Sequence, residues 1–331
     1  MTTELRFAVV TPVYNGAGFL NAAMEAVQAQ TYRPLIHIVL DNCSTDGTAD
    51  IIARFRDRSV PIVAHRNPQT LPAAANWSEA VRLVPNDVDY FKILCADDSM
   101  APDAIEKLAR AASSADDVRI IGAQELWNNV LRPTNLPAST TVFEASNFMA
   151  RILSDSAQPA YHHLAYRTDL RGPGPFYPSD VVAFDAEAGF AALAQGGRVA
   201  WVHEPLFKTI DHAASLTSTW TKKSMSQHWE HFARLQRYGP GALSATEYSR
   251  VEREQLARIY RRIALRSVTG HRDVAQRDLE LLRSRGFEPS LWDYASSMLS
   301  WAGQRFQPKL NANGIPDWPP TALKISRPDA A

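Results

Sequence analysis

The chain has 331 residues, with 35 basic and 35 acidic side chains and two cysteines. Balanced charge gives no electrostatic footprint for nucleic acid, two cysteines are too few for a disulfide framework and fit a reducing compartment, and no apolar run approaches the roughly 20 residues of a membrane span. The length suits a domain of about 200–250 residues plus an appendage.

Leu5 to Val10 reads as a strand and Thr11 to Gly18 as a loop of turn formers. The chain enters this strand within a few residues, so no signal peptide is expected. A helix follows with Phe19, Leu20, Ala23, Met24 and Val27 on one face. Leu35 to Leu40 is a second strand and runs into Asp41; Gly47 opens a helix with Ile51, Ile52 and Phe55 inward. Pro61 to Ala64 is a short third strand, residues 72–84 a helix and Asp89 to Leu94 a fourth strand. Strands alternating with helices predict right-handed crossovers and a mostly parallel sheet flanked by helices. Ligands of such sheets bind beyond the carboxyl ends of the strands. The loop from Thr11, Asp41 and the pair Asp97–Asp98 all fall there.

The run YFKILCADDSM, Tyr90 to Met100, carries the strongest chemical signal. Its apolar strand ends on two adjacent carboxylates, which are costly at the exit of a buried strand unless something binds them. A divalent cation carrying a phosphate is the natural partner, because hard cations take oxygen ligands. The plainer alternative is that Asp98 caps the next helix, where Pro102 sits near the first turn. Neither GxGxxG nor GxxxxGK[ST] follows any of the strands, which speaks against a dinucleotide-binding oxidoreductase and a P-loop NTPase.

VVTPVYNGAGFL, VLDNCSTDGT, LPAAANWSEAV and ILCADDSMAPDAI occur in that order and spacing. The set resembles the family 2 glycosyltransferases of GT-A fold, over roughly residues 5–215. The resemblance implies a Rossmann-like α/β catalytic domain over residues 1–220. Its nucleotide-sugar half would be about 1–100 and its acceptor half about 101–220. It implies transfer of a sugar from a nucleotide donor with inversion at the anomeric carbon. Thr11, Pro12, Val13 and Tyr14 then match the segment lining the base, and Asp41 the acid that hydrogen-bonds base or ribose. Asn67 and Asn76 border the donor site. Asp97 faces the donor ribose, and Asp98 ligates a divalent metal, Mn²⁺ or Mg²⁺, on the pyrophosphate. The fuller form of this motif begins with an acid where this chain has Cys95. His212, after the strand Pro205 to Ile210, matches a histidine that reaches metal or pyrophosphate; an ordinary loop histidine is the alternative. The acceptor-side segment from Gly174 implies Asp180 as general base at the start of a helix, with Asp185 and Glu187 as fallback candidates.

A departing nucleoside diphosphate needs charge stabilisation and the acceptor hydroxyl needs a base, so the chemistry agrees with these assignments. UDP-sugar is the expected donor, because Asp41 can accept the imide N–H of uracil; thymine presents the same N–H. The expected acceptor is a glycan or lipid-linked glycan, and the expected compartment the cytoplasm. Two other classes stay open. A sugar nucleotidyltransferase would want a cation in the first loop, and Thr11 to Gly18 has none. A catalytically silent subunit or scaffold of the same fold is kept open by Cys95.

Residues 221–306 read as a helical appendage, with helices over Lys223 to Tyr238, 245–268, Asp273 to Arg285 and Leu291 to Phe306. Two roles are open for it: packing on the catalytic domain or a second subunit, as in a homodimer, and peripheral contact with the inner face of a membrane near a lipid-linked acceptor. Residues 307–331 read as an irregular tail.

Overall fold

The computed structural model describes residues 4–210, 212, 215 and 227–306; the expected tail lies outside the described residues. In chain order the elements are β1 (Phe7–Val13), α1 (Leu20–Gln28), β2 (Leu35–Asp41), α2 (Thr48–Ala53), β3 (Ile62–Arg66), α3 (Ala73–Arg82), β4 (Tyr90–Ile93), β5 (Ser99–Met100) and α4 (Ala104–Ala112). They continue with β6 (Val118–Trp127), β7 (Val130–Leu131), β8 (Val142–Glu144), α5 (Ala145–Leu153), β9 (Ala165–Arg167), α6 (Phe184–Leu193) and β10 (Arg198–Thr209). The last helices are α7 (Gln227–Ala242), α8 (Ala245–Val268), α9 (Arg272–Ser284) and α10 (Leu291–Phe306). Two 3₁₀ turns, Tyr161–His163 and Thr168–Leu170, flank β9.

The strands form one sheet in the order β3-β2-β1-β4-β9-β6-β10-β5, with β7 beside β6 and β8 beside β10. The quartet β3-β2-β1-β4 is parallel, as the alternating pattern predicts, and so is the pair β6-β10. β9 is inserted antiparallel between β4 and β6 and joins the two parallel blocks. All seven residues of β1 and of β2 are buried, as expected of strands covered on both faces. Leu20, Ala23, Met24 and Val27 are the buried face of α1, at the spacing of a 3.6-residue period.

Register places the ligand edge. β1 runs to Val13, three residues beyond the expected end, and pairs Val13 with Asp41, which in turn pairs with Arg66. Thr11, Pro12 and Val13 are therefore buried strand residues, and the exposed loop begins at Tyr14. A second difference concerns the acceptor side. Asp180 does not open a helix: α6 begins at Phe184, and Asp180 sits in the exposed loop before it.

The chain divides into two compact units, Met1–Val251 and Glu252–Ala331. α7 packs on α5 and α6 within the first unit, so the compact unit extends past the expected boundary near residue 220. In the second unit, Arg266 and Asp278 form a buried ion pair at 2.7 Å, and the rings of Tyr260 and Tyr294 meet edge to face. Leu291, Trp292 and Leu299 of α10 are exposed. Among the described residues no helix is long and apolar enough to cross a membrane.

Candidate active site

The first and second loops are laced together at the ends of β1 and β2. Asn15, at φ +47°, donates its N–H to Ser44 Oγ and accepts from the Thr45 N–H through Oδ1, both at 2.9 Å. Gly16 N–H donates to Thr48 Oγ1 at 2.9 Å, and Asp46 Oδ2 accepts from the Ala17 N–H at 3.0 Å. Gly16 is required for packing, because a Cβ there would stand 2.4 Å from Val13 Cγ2. Asp41 is buried at the base of this cleft. Its Oδ1 accepts from the Ser44 N–H at 2.9 Å, and its Oδ2 is ion-paired with Arg66. Asn67 Nδ2 donates to Asn42 Oδ1 and Asn76 Oδ1, at 2.9 and 3.0 Å, while Asn42 Oδ1 also accepts from the Leu71 N–H. Asn67 and Asn76 thus hold the loop into α3 in place. The Thr11 hydroxyl is spent on His37, which lies 2.9 Å away and whose burial pushes it down to about 3.

The acid pair follows β4. Asp98 is 4% exposed, and desolvation first, then the charge of Asp97, pushes its carboxyl up to about 7. The Cys95 thiol donates to it and is itself pushed well up by burial. Asp97 lies 2.8 Å from His212 Nε2, and the His212 ring stacks on Phe19 at 4.5 Å between centroids. Cys95 Sγ and one carboxylate oxygen each of Asp97 and Asp98 lie within 4.8 Å of one another.

A buried polar network lies behind Asp98. Lys92 Nζ donates to Ile93 O at 2.7 Å and to His163 Nδ1 at 3.3 Å, over the Phe207 ring. Burial brings this lysine down to about 8, so it is still an ammonium at neutral pH. An ammonium only donates. His163 Nδ1 must therefore accept, which leaves the proton on Nε2, 2.9 Å from Thr209 Oγ1. Thr209 gives its own proton to Glu125 Oε2 at 3.2 Å, and Glu125 Oε1 is paired with Arg132 at 2.8 Å. His162 Nε2 lies 3.3 Å from the same Thr209 oxygen, 3.7 Å from Glu125 Oε2 and 4.0 Å from Asp98 Oδ2. Its Nδ1 faces the other way, 3.9 Å from Asp185 Oδ2.

Asp185 stands in the first turn of α6, and desolvation raises its carboxyl above the usual range. Glu187, two residues on, is occupied. Arg234 Nε donates to its Oε2 at 3.2 Å, and Arg237 and the Tyr238 hydroxyl donate to its Oε1 at 2.7 and 3.0 Å. α7 also closes the start of α6, where Glu230 accepts from the N–H groups of Val182 and Ala183 at 2.9 and 3.0 Å. These N–H groups belong to the two residues just ahead of α6, and the carboxylate that accepts from them sits where the macrodipole favours negative charge.

Residues 8–156 match the model of Glycosyl transferase family 2. This stretch is similar to the family 2 glycosyltransferases. Glycosyltransferase GlyG of Streptococcus pneumoniae serotype 4 is 28% identical over 117 residues, 35% of this chain and 38% of that protein, so the chain spans little more than a third of that relative's length. S. aureus TarS 1-349, solved in complex with UDP-GlcNAc, superposes with a TM-score of 0.64 at 15% identity, over 83% of this chain and 80% of that one. Mannosyltransferase PcManGT from Pyrobaculum calidifontis, in complex with GDP-Man and Mn²⁺, gives a TM-score of 0.54 at 16% identity over 93% and 82%. At such identities the two structures establish the GT-A fold.

The structure brings His212 to Asp97 beside Asp98, and Asp41 with the Tyr14 loop at the neighbouring strand ends. The grouped Cys95, Asp97 and Asp98 atoms fit a divalent cation by chemistry, being hard oxygens beside a single sulfur. Sequence reasoning did not single out Arg66, Lys92, Glu125, His162, His163, Thr209 or the α7 carboxylate Glu230. Arg66 could have been found by extending β3 two residues, which sets it opposite Asp41. The lysine inside the apolar run before the acid pair was a second available signal, since a buried lysine requires a partner.

Proposed function

We propose that the chain is an inverting glycosyltransferase that moves a sugar from a nucleoside diphosphate donor, a UDP-sugar first, to a hydroxyl of a glycan or lipid-linked glycan. One observation carries this reading. A single imidazole, His162, lies within 4.0 Å of both Asp98 on the donor side and Asp185 on the acceptor side, so two raised carboxylates from separate elements face one small space. Paired groups of this kind, perturbed by burial in a cleft, mark sites of proton transfer and charge stabilisation.

In this reading Asp41 accepts from the imide N–H of the base, with Tyr14 beside it and Arg66 holding the carboxylate. Asp97, hydrogen-bonded to His212, meets the donor ribose. Asp98, Asp97 and His212 would hold a divalent cation, Mn²⁺ or Mg²⁺, which supplies neutralisation of the diphosphate charge when bound. Asp185 takes the proton of the acceptor hydroxyl as its oxygen bonds to the anomeric carbon and the bond to the diphosphate breaks on the opposite face. The base role goes to Asp185 rather than Asp180, because Asp180 is exposed and precedes α6, whereas Asp185 is shielded in its first turn. A carboxyl raised toward neutrality is the better base at neutral pH.

The test is a screen of UDP-, dTDP- and GDP-sugars with Mn²⁺ for donor hydrolysis, repeated with Asp185→Asn and Asp180→Asn. Loss of turnover in the first variant alone supports the reading. Loss in the second alone returns the role to Asp180, and nucleotide binding without turnover in the native protein points to a silent scaffold.

A further inference from the structure

His162 is a residue to which the reading above gives no task, yet both of its ring nitrogens face the site. Its proton can be placed by hydrogen-bond accounting. Thr209 gives its one proton to Glu125, so its oxygen can only accept from the two histidines. The proton of His162 is thereby assigned to Nε2, 3.3 Å from Thr209 Oγ1. Nδ1 is left as a bare acceptor, 3.9 Å from Asp185 Oδ2. Burial pushes this imidazole well below its ordinary range, which is consistent with the neutral ring. A bare acceptor offers nothing to an ionised carboxylate, but it accepts a hydrogen bond from a protonated one. Contacts of this length in a free enzyme commonly tighten when substrate is bound.

We propose that His162 is a positioning residue that stabilises Asp185 in its protonated form: Nδ1 accepts a hydrogen bond from the carboxyl after Asp185 has taken the proton of the acceptor hydroxyl. The balance is simple. The acceptor O–H breaks, the proton moves to Asp185, and the new O–H of Asp185 points at Nδ1 while Nε2–H keeps its bond to Thr209. The ring is clamped for this from behind, because Thr209 is fixed by Glu125 and His163, and these by Arg132 and Lys92. The inference rests on Asp185 being the base.

Asparagine and glutamine separate the two ends of the ring. The Asn side-chain oxygen reaches where Nδ1 stands, and the Gln amide reaches where Nε2 stands. The experiment compares His162→Asn, His162→Gln and His162→Ala, each alone and combined with Asp185→Asn, for sugar transfer and for Mn²⁺-linked UDP binding by calorimetry. Expected is a fall in kcat of about 10- to 100-fold for the Gln and Ala variants, with His162→Asn within a few-fold of native. Donor KM and UDP affinity should be unchanged throughout, and the losses should vanish in the Asp185→Asn background. Four results overturn the inference. Glutamine could preserve the rate better than asparagine, which would make His162 an anchor for Thr209. The losses could multiply with Asp185→Asn. All three variants could keep the native rate. Mn²⁺-linked UDP binding could be lost, which would make the ring a metal ligand. If Asp185→Asn alone keeps the native rate, the base assignment and the inference fall together.

Discussion

Asp98 should cost the protein stability when no metal is bound, and this cost can be measured. The carboxyl is 4% exposed, and burial beside Asp97 raises it from 3.8 to about 7. Between those two values the folded chain holds a proton that the unfolded chain has released. Stability from this group is therefore fully present below about pH 4, falls as pH rises, and is level above about pH 7. A gap of about three pH units is worth roughly 4 kcal/mol. Asp98→Asn keeps the shape and can still accept from Cys95, but carries no charge. In a chelator, the variant should exceed the native protein in urea-unfolding free energy by about 2–4 kcal/mol at pH 7.5 and match it near pH 3.5. Its urea m-value should be unchanged. Millimolar Mn²⁺ should close the gap at pH 7.5 by stabilising the native protein alone, since a ligand that binds only the folded state raises its stability. A difference that is constant across pH, or a variant less stable than native at pH 7.5, would refute the reasoning.

Three further outcomes are expected. Asp185→Asn should lower transfer by about 10²–10⁴ in steady-state kinetics, the usual weight of a general base, with donor binding unchanged; Asp180→Asn should leave both near native. Asp41→Ala should weaken UDP by about 1.5–3 kcal/mol in calorimetry, the worth of a charge-assisted hydrogen bond; equal affinity would remove Asp41 from the site. Gly122→Ala should destabilise by about 1–3 kcal/mol in urea unfolding, because a Cβ there would lie 2.2 Å from the Trp201 ring.

The alternation of strand and helix in the first hundred residues was legible in the sequence because each crossover is local. Apolar runs set β1, β2 and β4, and the periodic face Leu20, Ala23, Met24, Val27 set α1. Once that order is known, the carboxyl-end rule places Asp41 and Asp97–Asp98 at one edge without coordinates. The acceptor side resisted for a physical reason. β9 is three residues long and is held by antiparallel pairing with β4 and β6 from distant parts of the chain. Nothing local distinguishes such a segment from a loop.

The start of α6 shows the same limit. The sequence offers Asp180, Asp185 and Glu187 within one short stretch, and a helix-terminal acid is equally plausible at each. Tertiary contacts decide among them. Glu230 fixes the chain just ahead of α6 at Val182 and Ala183, Arg234, Arg237 and Tyr238 occupy Glu187, and Asp185 alone of the three faces His162. The sequence by itself determined which chemistry-bearing residues lie at the strand ends, because period and chain order are properties of neighbours along the chain. Which carboxylate is shielded, which is paired, and which nitrogen of His162 carries the proton were decided by contacts between residues 23 to 84 positions apart, and these exist only in the folded protein.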